Sequence, residues 1–285
     1  MSGVATEAPV LEREVGAPLP QAARRGRGRG RLLHVYTWVL IFYLMAPILI
    51  MILFGFNNTK GKLNVRFQGF TLTWYKNLLA IPELTTALQN SLTIALFSTL
   101  LATVFGTMMG IALGRWRYRG RGVTDLILFA NIAAPELVLG AALLGMLVTA
   151  QIPRGYLTIL IAHVMFNIPF VAVTVRARMA GFDLTLEEAA QDLGANPQVT
   201  FWKVTFPLIF PGVLAGALLA FALSIDDYII TSFVAGQTIT FPLWVFGATR
   251  IGVPPQVNVM GTLIFVGGIL LAVMNAVYAR RRSLQ

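Results

Sequence analysis

The sequence predicts an all-α membrane protein with six transmembrane helices and both termini cytoplasmic. Three observations carry that prediction. Hydrophobic residues make up 56% of the 285-residue chain and charged residues 12%, with a mean hydropathy of +0.73; a soluble domain carries about 25% charge. The apolar residues fall in runs about 20 long, the length that crosses a hydrocarbon core of roughly 30 Å. The basic residues divide unevenly among the segments between those runs. No polar stretch is long enough to build its own core, so one membrane domain is expected, over residues 35–280.

Residues 1–34 are rich in Ala, Pro, Gly and Arg and end in Arg24-Arg25-Gly26-Arg27-Gly28-Arg29-Gly30-Arg31. So few apolar groups cannot fold alone, and the segment reads as a disordered basic cytoplasmic tail lying against anionic lipid. An RNA-binding arm of similar composition is disfavoured by the span that follows at once. The first apolar run, Val35 to Phe56, is too long for a cleavable leader and no small-residue cleavage site follows it, so it is read as an anchor. The loop from Asn57 to Ala87 carries Phe70, Trp74 and Tyr75 as interfacial aromatics, with a short surface helix over Thr73–Leu79. Five further runs follow: Leu88–Leu113, Val123–Val148, Tyr156–Val175, Phe206–Phe233 and Val257–Ala279. Residues 281–285 form a short tail. With the N-terminus inside, the inner segments hold 16 of the 22 Lys and Arg and the outer segments six, which sets the orientation.

Composition also excludes functions. The chain has no cysteine, hence no disulfide or thiolate chemistry. His34 and His163 are its two imidazoles, and neither has a second ligand at metal-binding spacing. No Gly-x-x-x-x-Gly-Lys-Ser/Thr loop is present, so the chain cannot itself hydrolyse ATP. The net charge of +10 is explained by inner loops rather than by nucleic-acid binding.

Between the fourth and fifth runs lies a polar insert, Ala180 to Pro197. Thr185 and Glu188 stand in capping-box spacing, each able to bond the other's backbone N–H. Gly194 stands where a left-handed residue ends a helix, and Asn196-Pro197 is an N-cap followed by Pro at the first helical position. A short helix, a sharp turn and a second helix running into the fifth span are expected. Ala189, Ala190 and Ala195 leave a small face for a partner; an ordinary loop between spans would carry the same pattern.

Three acids fall within apolar runs: Glu136, Asp226 and Asp227. Ionisable groups in a bilayer need a wet cavity or a partner. Successive helix positions point about 100° apart, so Asp226 and Asp227 cannot both face one narrow pore. One is expected on a translocation path and the other in an interhelical bond, with a purely structural role for both as the competing reading. Tyr228 and Trp244 are candidate aromatic faces for a cation. Glu136 follows Pro135, which bends the third span. It either lines a cavity there or pairs with Asn131, His163 or Asn167.

The string Glu188-Ala189-Ala190, three residues, Gly194, nine residues, Val204-Thr205-Phe206-Pro207 resembles the EAA loop of ABC importer permeases, with Val and Phe where Ile and Leu are usual. His163, Pro169-Phe170-Val171, Arg176-Ala177-Arg178, Leu223-Ser224-Ile225-Asp226-Asp227-Tyr228 and Gly252-Val253-Pro254-Pro255-Gln256-Val257-Asn258 resemble the permeases of spermidine/putrescine importers, over roughly residues 36–280. That branch often has Glu where this chain has Gln256. The resemblance implies a type I ABC importer permease fold. It also implies that residues 182–197, with Phe182, Asp183, Glu188, Ala189, Ala190, Asp192, Gly194 and Ala195, dock on an ATPase subunit. The implied partners are an ABC ATPase dimer that binds the ATP, a second permease subunit, an extracytoplasmic binding protein and a small organic cation, with no cofactor in this chain. Two other classes compete. An ion-coupled transporter would use Glu136 and Asp226 as ion sites but leaves the insert without a task. An intramembrane aspartyl protease needs two Asp on facing spans, and here they are adjacent.

Overall fold

The computed structural model describes residues 27–61 and 64–283, in which every regular element is helical. The chain runs through α1 (Arg27–Gly55), α2 (Thr73–Lys76), α3 (Pro82–Arg115), α4 (Arg121–Ala133), α5 (Glu136–Thr149) and α6 (Tyr156–Met179). It continues through α7 (Thr185–Asp192), α8 (Pro197–Thr200), a π-helical turn (Phe201–Thr205), α9 (Phe206–Asp226), α10 (Ile229–Val234), α11 (Phe241–Ala248) and α12 (Pro255–Ser283). Among the described residues five helices are long and apolar enough to cross a membrane, and there are six if α4 and α5, bent by 106° at the break between them, count as one span.

Three expectations are corrected. Helix α1 begins at Arg27, so the Gly/Arg string to Arg31 forms helical turns instead of a tail; residues 1–26 lie outside the described residues. The third span is broken, not merely bent. Pro135 has no N–H to donate and holds Ala134 in extended backbone, φ −67 and ψ 133. The fifth run is divided too, because α9 stops at Asp226 and α10 starts at Ile229. The surface helix α2 is the expected one, shortened to Lys76. Its aromatics fold the loop as well as face outward: Trp74 Nε1 donates to the Asn57 carbonyl at 2.7 Å, and Tyr75 packs on Phe56 with ring centroids 4.8 Å apart.

Contacts divide the chain after Leu49. In the first unit, the apolar side chains of α1 between Leu32 and Leu44 are exposed. The second unit, from Ile50 onward, holds a three-helix core of α3, α6 and α9. Glycines set how closely these helices approach. A Cβ at Gly106 would stand 2.6 Å from Val171 Cβ, at Gly110 2.8 Å from Val175 Cβ, and at Gly114 2.6 Å from Met179 Cβ. The partners advance by four residues with the glycines, so α3 and α6 run parallel, backbone on side chain. In lipid no hydrophobic effect drives helix association, and small residues allow the van der Waals contact that does. Gly212 and Gly216 of α9 close on Arg178 and on Val171 in the same way. Short α10 then packs between α5 and α6, with the Phe233 ring seated on Gly140.

Gly110→Val is expected to destabilise the protein by about 1–3 kcal/mol, the usual cost of overpacking. Gly122→Ala, with open space around it, should leave stability unchanged. Thermal unfolding of the detergent-solubilised protein reads both.

Candidate functional site

The break between α9 and α10 places two adjacent acids in different surroundings. Asp227 turns inward, with 6% of its side chain exposed. One carboxylate oxygen, Oδ2, accepts from Thr231 N at 2.8 Å and from Thr231 Oγ1 at 2.6 Å, and the other from Ile230 N at 3.3 Å. The acid thereby occupies the free N–H groups at the start of α10, where the helix dipole also favours negative charge. His163 Nε2 lies 3.2 Å from the same carboxylate and 2.9 Å from Thr231 Oγ1, while Nδ1 lies 2.6 Å from Ser224 Oγ. Ser224 Oγ meets Ser98 Oγ at 2.9 Å.

The directions are consistent. The Thr231 hydroxyl is spent on Asp227, so Nε2–H donates, Nδ1 accepts from Ser224, and Ser224 accepts from Ser98. This buried chain ties α3, α6, α9 and α10 together. The serine, histidine and aspartate stand in the order of a hydrolase triad, yet Ser98 and His163 take up both sides of the Ser224 hydroxyl and all four groups are buried. Asp227 is therefore the interhelical partner of the pair, and His163 a hydrogen-bonded contact.

Asp226 turns the other way. Among the described residues it makes no hydrogen bond or ion pair with another side chain. It lines two open cavities, of about 510 Å³ and about 900 Å³, and among the described residues is the one charged group on either wall. The smaller is otherwise built of Tyr228, Phe241, Val245, Phe246 and Phe265, with Tyr228 and Phe246 centroids 4.6 Å apart. A lone carboxylate among aromatic faces suits a cation. Trp244 does not contribute: it packs in the cluster of Leu84, Val257 and Met260 and lines neither cavity. Arg250 holds its guanidinium over Phe246 at 5.6 Å instead of pairing with either acid. Glu136, expected in mid-span, sits exposed in the first turn of α5. It pairs with none of Asn131, His163 or Asn167, and lies within electrostatic reach of Asp227 and Asp226.

The polar insert forms the two expected short helices with a different start. The Thr185–Glu188 capping box is absent. Asp183 takes that place, accepting from Thr185 N at 3.0 Å and from Thr185 Oγ1 at 2.8 Å. The Thr185 hydroxyl is turned to Asp183 and cannot reach the N–H of residue 188. These bonds, that from the hydroxyl first, hold the Asp183 carboxyl below its ordinary range. Gly194 has the left-handed φ of +86, and Asn196 Oδ1 accepts from Val199 N at 2.9 Å ahead of Pro197. Glu188, Ala189, Asp192 and Gly194 are exposed, and Phe182, Ala190 and Ala195 half-buried.

The neighbouring acid was missed. Glu187 is buried, its side chain 4% exposed, and forked to Arg115 at 2.9 and 2.6 Å, with Thr205 Oγ1 donating at 2.6 Å. Only the 100° step from Glu188 could have signalled it.

A helical bundle with a built polar insert and a carboxylate facing a cavity suits a membrane transport subunit. A family model described as binding-protein-dependent transport system inner membrane component matches residues 102–283. The chain is 37% identical over 256 residues, 89% of its length and 96% of the other's, to the spermidine/putrescine transport system permease protein PotC of Escherichia coli (strain K12). It is 36% identical over 230 residues, 78% of its length and 81% of the other's, to the putrescine transport system permease protein PotI of the same organism. Among solved structures, a chain of a bacterial ABC transporter involved in the import of the acidic polysaccharide alginate superposes with a TM-score of 0.64 at 19% identity, covering 92% of this chain and 99% of that one. The chain belongs to the family of inner membrane components of binding-protein-dependent transport systems. It has the type I ABC importer permease fold and is a multi-pass protein of the bacterial inner membrane.

Removing one partner of a buried hydrogen bond costs about 1–3 kcal/mol, and more where the group left behind is charged. Asp227→Ala and His163→Leu are therefore expected to lower thermal stability and yield of the solubilised protein by that order. For Asp183 the folded value is depressed, so its contribution is complete at neutral pH and disappears only as pH falls through the folded value. Amide exchange at Thr185 should accelerate in that acid window, and should already be fast in Asp183→Ala at pH 7.

Proposed function

We propose that the chain forms half of the translocation pathway of an ATP-driven importer for a small organic cation of the polyamine class, putrescine or spermidine. The observation that carries this reading is Asp226. It is an unpaired carboxylate on a cavity wall of Tyr228 and Phe246, in a chain whose curated relatives are named for polyamine transport. Attraction between opposite charges grows as water is excluded, and an aromatic face adds cation–π stabilisation. Glu136 supplies a second negative charge near the same place. Asp227 supports Asp226 indirectly by fixing the break that turns it outward.

Both termini and the insert belong on the cytoplasmic side in this reading, where the basic residues concentrate. The insert, residues 182–197, docks on an ABC ATPase dimer that binds and hydrolyses the ATP. A second permease subunit completes the pathway, and an extracytoplasmic binding protein delivers the substrate. Phe182, Ala190 and Ala195 brace the insert, while Glu188, Ala189, Asp192 and Gly194 face the ATPase. Gln256 is buried at the start of α12, so the carboxylate that the branch often carries there is not needed on the pathway. The same importer class could take another amine, an aminoalkylphosphonate or thiosulfate, and a lone carboxylate disfavours the two anions.

Asp226→Asn is expected to reduce polyamine uptake by the reconstituted importer at least about tenfold, the loss of one charge-assisted contact, with assembly intact. Uptake at the unmodified rate overturns the pathway assignment. Uptake that persists in vesicles depleted of ATP, with the proton gradient kept, replaces the ATP-driven reading by an ion-coupled one.

A further inference from the structure

We infer that Glu187 is the positioning residue through which the insert moves the pathway, by clamping α7 to a rigid pair of helices that ends beside Asp226. The inference rests on the reading of residues 182–197 as the ATPase contact and adds how displacement there reaches the substrate path.

Four observations build it. Glu187 is a buried acid in a helix whose other acids are exposed. Its two oxygens accept the fork of Arg115, the last residue of α3, at 2.9 and 2.6 Å. Such paired bonds fix direction as well as distance. The same oxygen that takes the 2.9 Å bond accepts Thr205 Oγ1 from the π turn at 2.6 Å. That turn stands where Pro207 has no N–H for an α-helical bond, and Phe206 N bonds Phe201 O instead. One side chain thus pins α7 to the start of α9 and to the end of α3.

The far end of the linkage is the buried chain described above. Ser98 lies 17 residues before Arg115 on the same helix, roughly 25 Å at 1.5 Å per residue. Between them Gly106, Gly110 and Gly114 lock α3 to α6 with no room for a Cβ. Helices packed backbone to side chain cannot slide past one another without losing that contact, so α3 and α6 shift as one body. At the Ser98 level this body holds Ser224 and His163, and through His163 it holds Asp227, the neighbour of Asp226. A push on α7 is delivered to Arg115 and arrives at the α9–α10 break.

The test uses the complete importer in proteoliposomes, with its ATPase and binding protein, and reads polyamine uptake and ATP hydrolysis together. The chain has no cysteine, so Ala189→Cys also reports docking by crosslinking to the ATPase. Glu187→Gln is expected to keep the crosslink and basal hydrolysis while uptake per ATP falls about tenfold, within the range of measured coupling between sites. Arg115→Gln should give the same ratio, and the double variant should be no worse than either single one. Should Glu187→Gln fail to assemble, Arg115→Lys carries the expectation, because it keeps the charge and loses the fork. An unmodified uptake-to-ATP ratio in Glu187→Gln, or in Arg115→Lys where it stands in, overturns the clamp and leaves the docking reading standing. Losses in the two single variants that simply add also overturn it. No crosslink from Ala189→Cys in the otherwise unmodified chain overturns the docking reading and the clamp with it.

Discussion

The buried bond between Asp227 and His163 is the constraint on which the transport site depends. A charge taken out of water is costly unless it is paired and hydrogen-bonded. Asp227 meets that demand with three donors from α10 and one from α6. The consequence is geometric. With Asp227 held inward, α9 must end at Asp226, and the backbone at residue 227 is extended, φ −62 and ψ 121. Asp226 is then displayed on the opposite side, facing the cavities. A continuous helix over the same apolar run would turn both acids by a fixed 100° and could not bury one completely while freeing the other.

The sequence made the membrane class, the apolar runs and the turn that closes the insert legible, because those follow from run length and from residues with strong backbone preferences. Gly194 and Asn196-Pro197 are such residues, and each sits as expected. Window-averaged hydropathy could not show the breaks at Pro135 and Asp227, since long apolar stretches continue on both sides of each. The α3–α6 contact had a readable signal in Gly106, Gly110 and Gly114, spaced by four in an apolar helix. The capping arrangement at α7 differs for a local reason: Asp183, two residues away, takes both the Thr185 N–H that Glu188 would have accepted and the Thr185 hydroxyl, while Glu188 N bonds the Leu184 carbonyl.

The candidate site was half legible. That Asp226 and Asp227 must divide their tasks followed from helical geometry; which takes which task is set by His163, 64 positions earlier in the chain. Trp244 illustrates the same limit. It is the right kind of side chain for a cation, but α11 directs it into the packing of Leu84 and Met260. Glu187 and Arg115 are 72 positions apart, and no local pattern announces such a pair.

The ion pairs of α4 have a mechanical corollary. Arg176 of α6 bonds Asp125, and Arg121 lies 3.9 Å from the same carboxylate, so α4 is latched to the central helices. Among the described residues helix α5, beyond the 106° break, makes no ion pair and is held by its packing against α10. Any swing of α5 must be taken up at Ala134 and Pro135, and the pyrrolidine ring fixes one of the torsions there. The joint is a door hung on a fixed post: it can turn along few directions, and Glu136 is carried on the moving leaf.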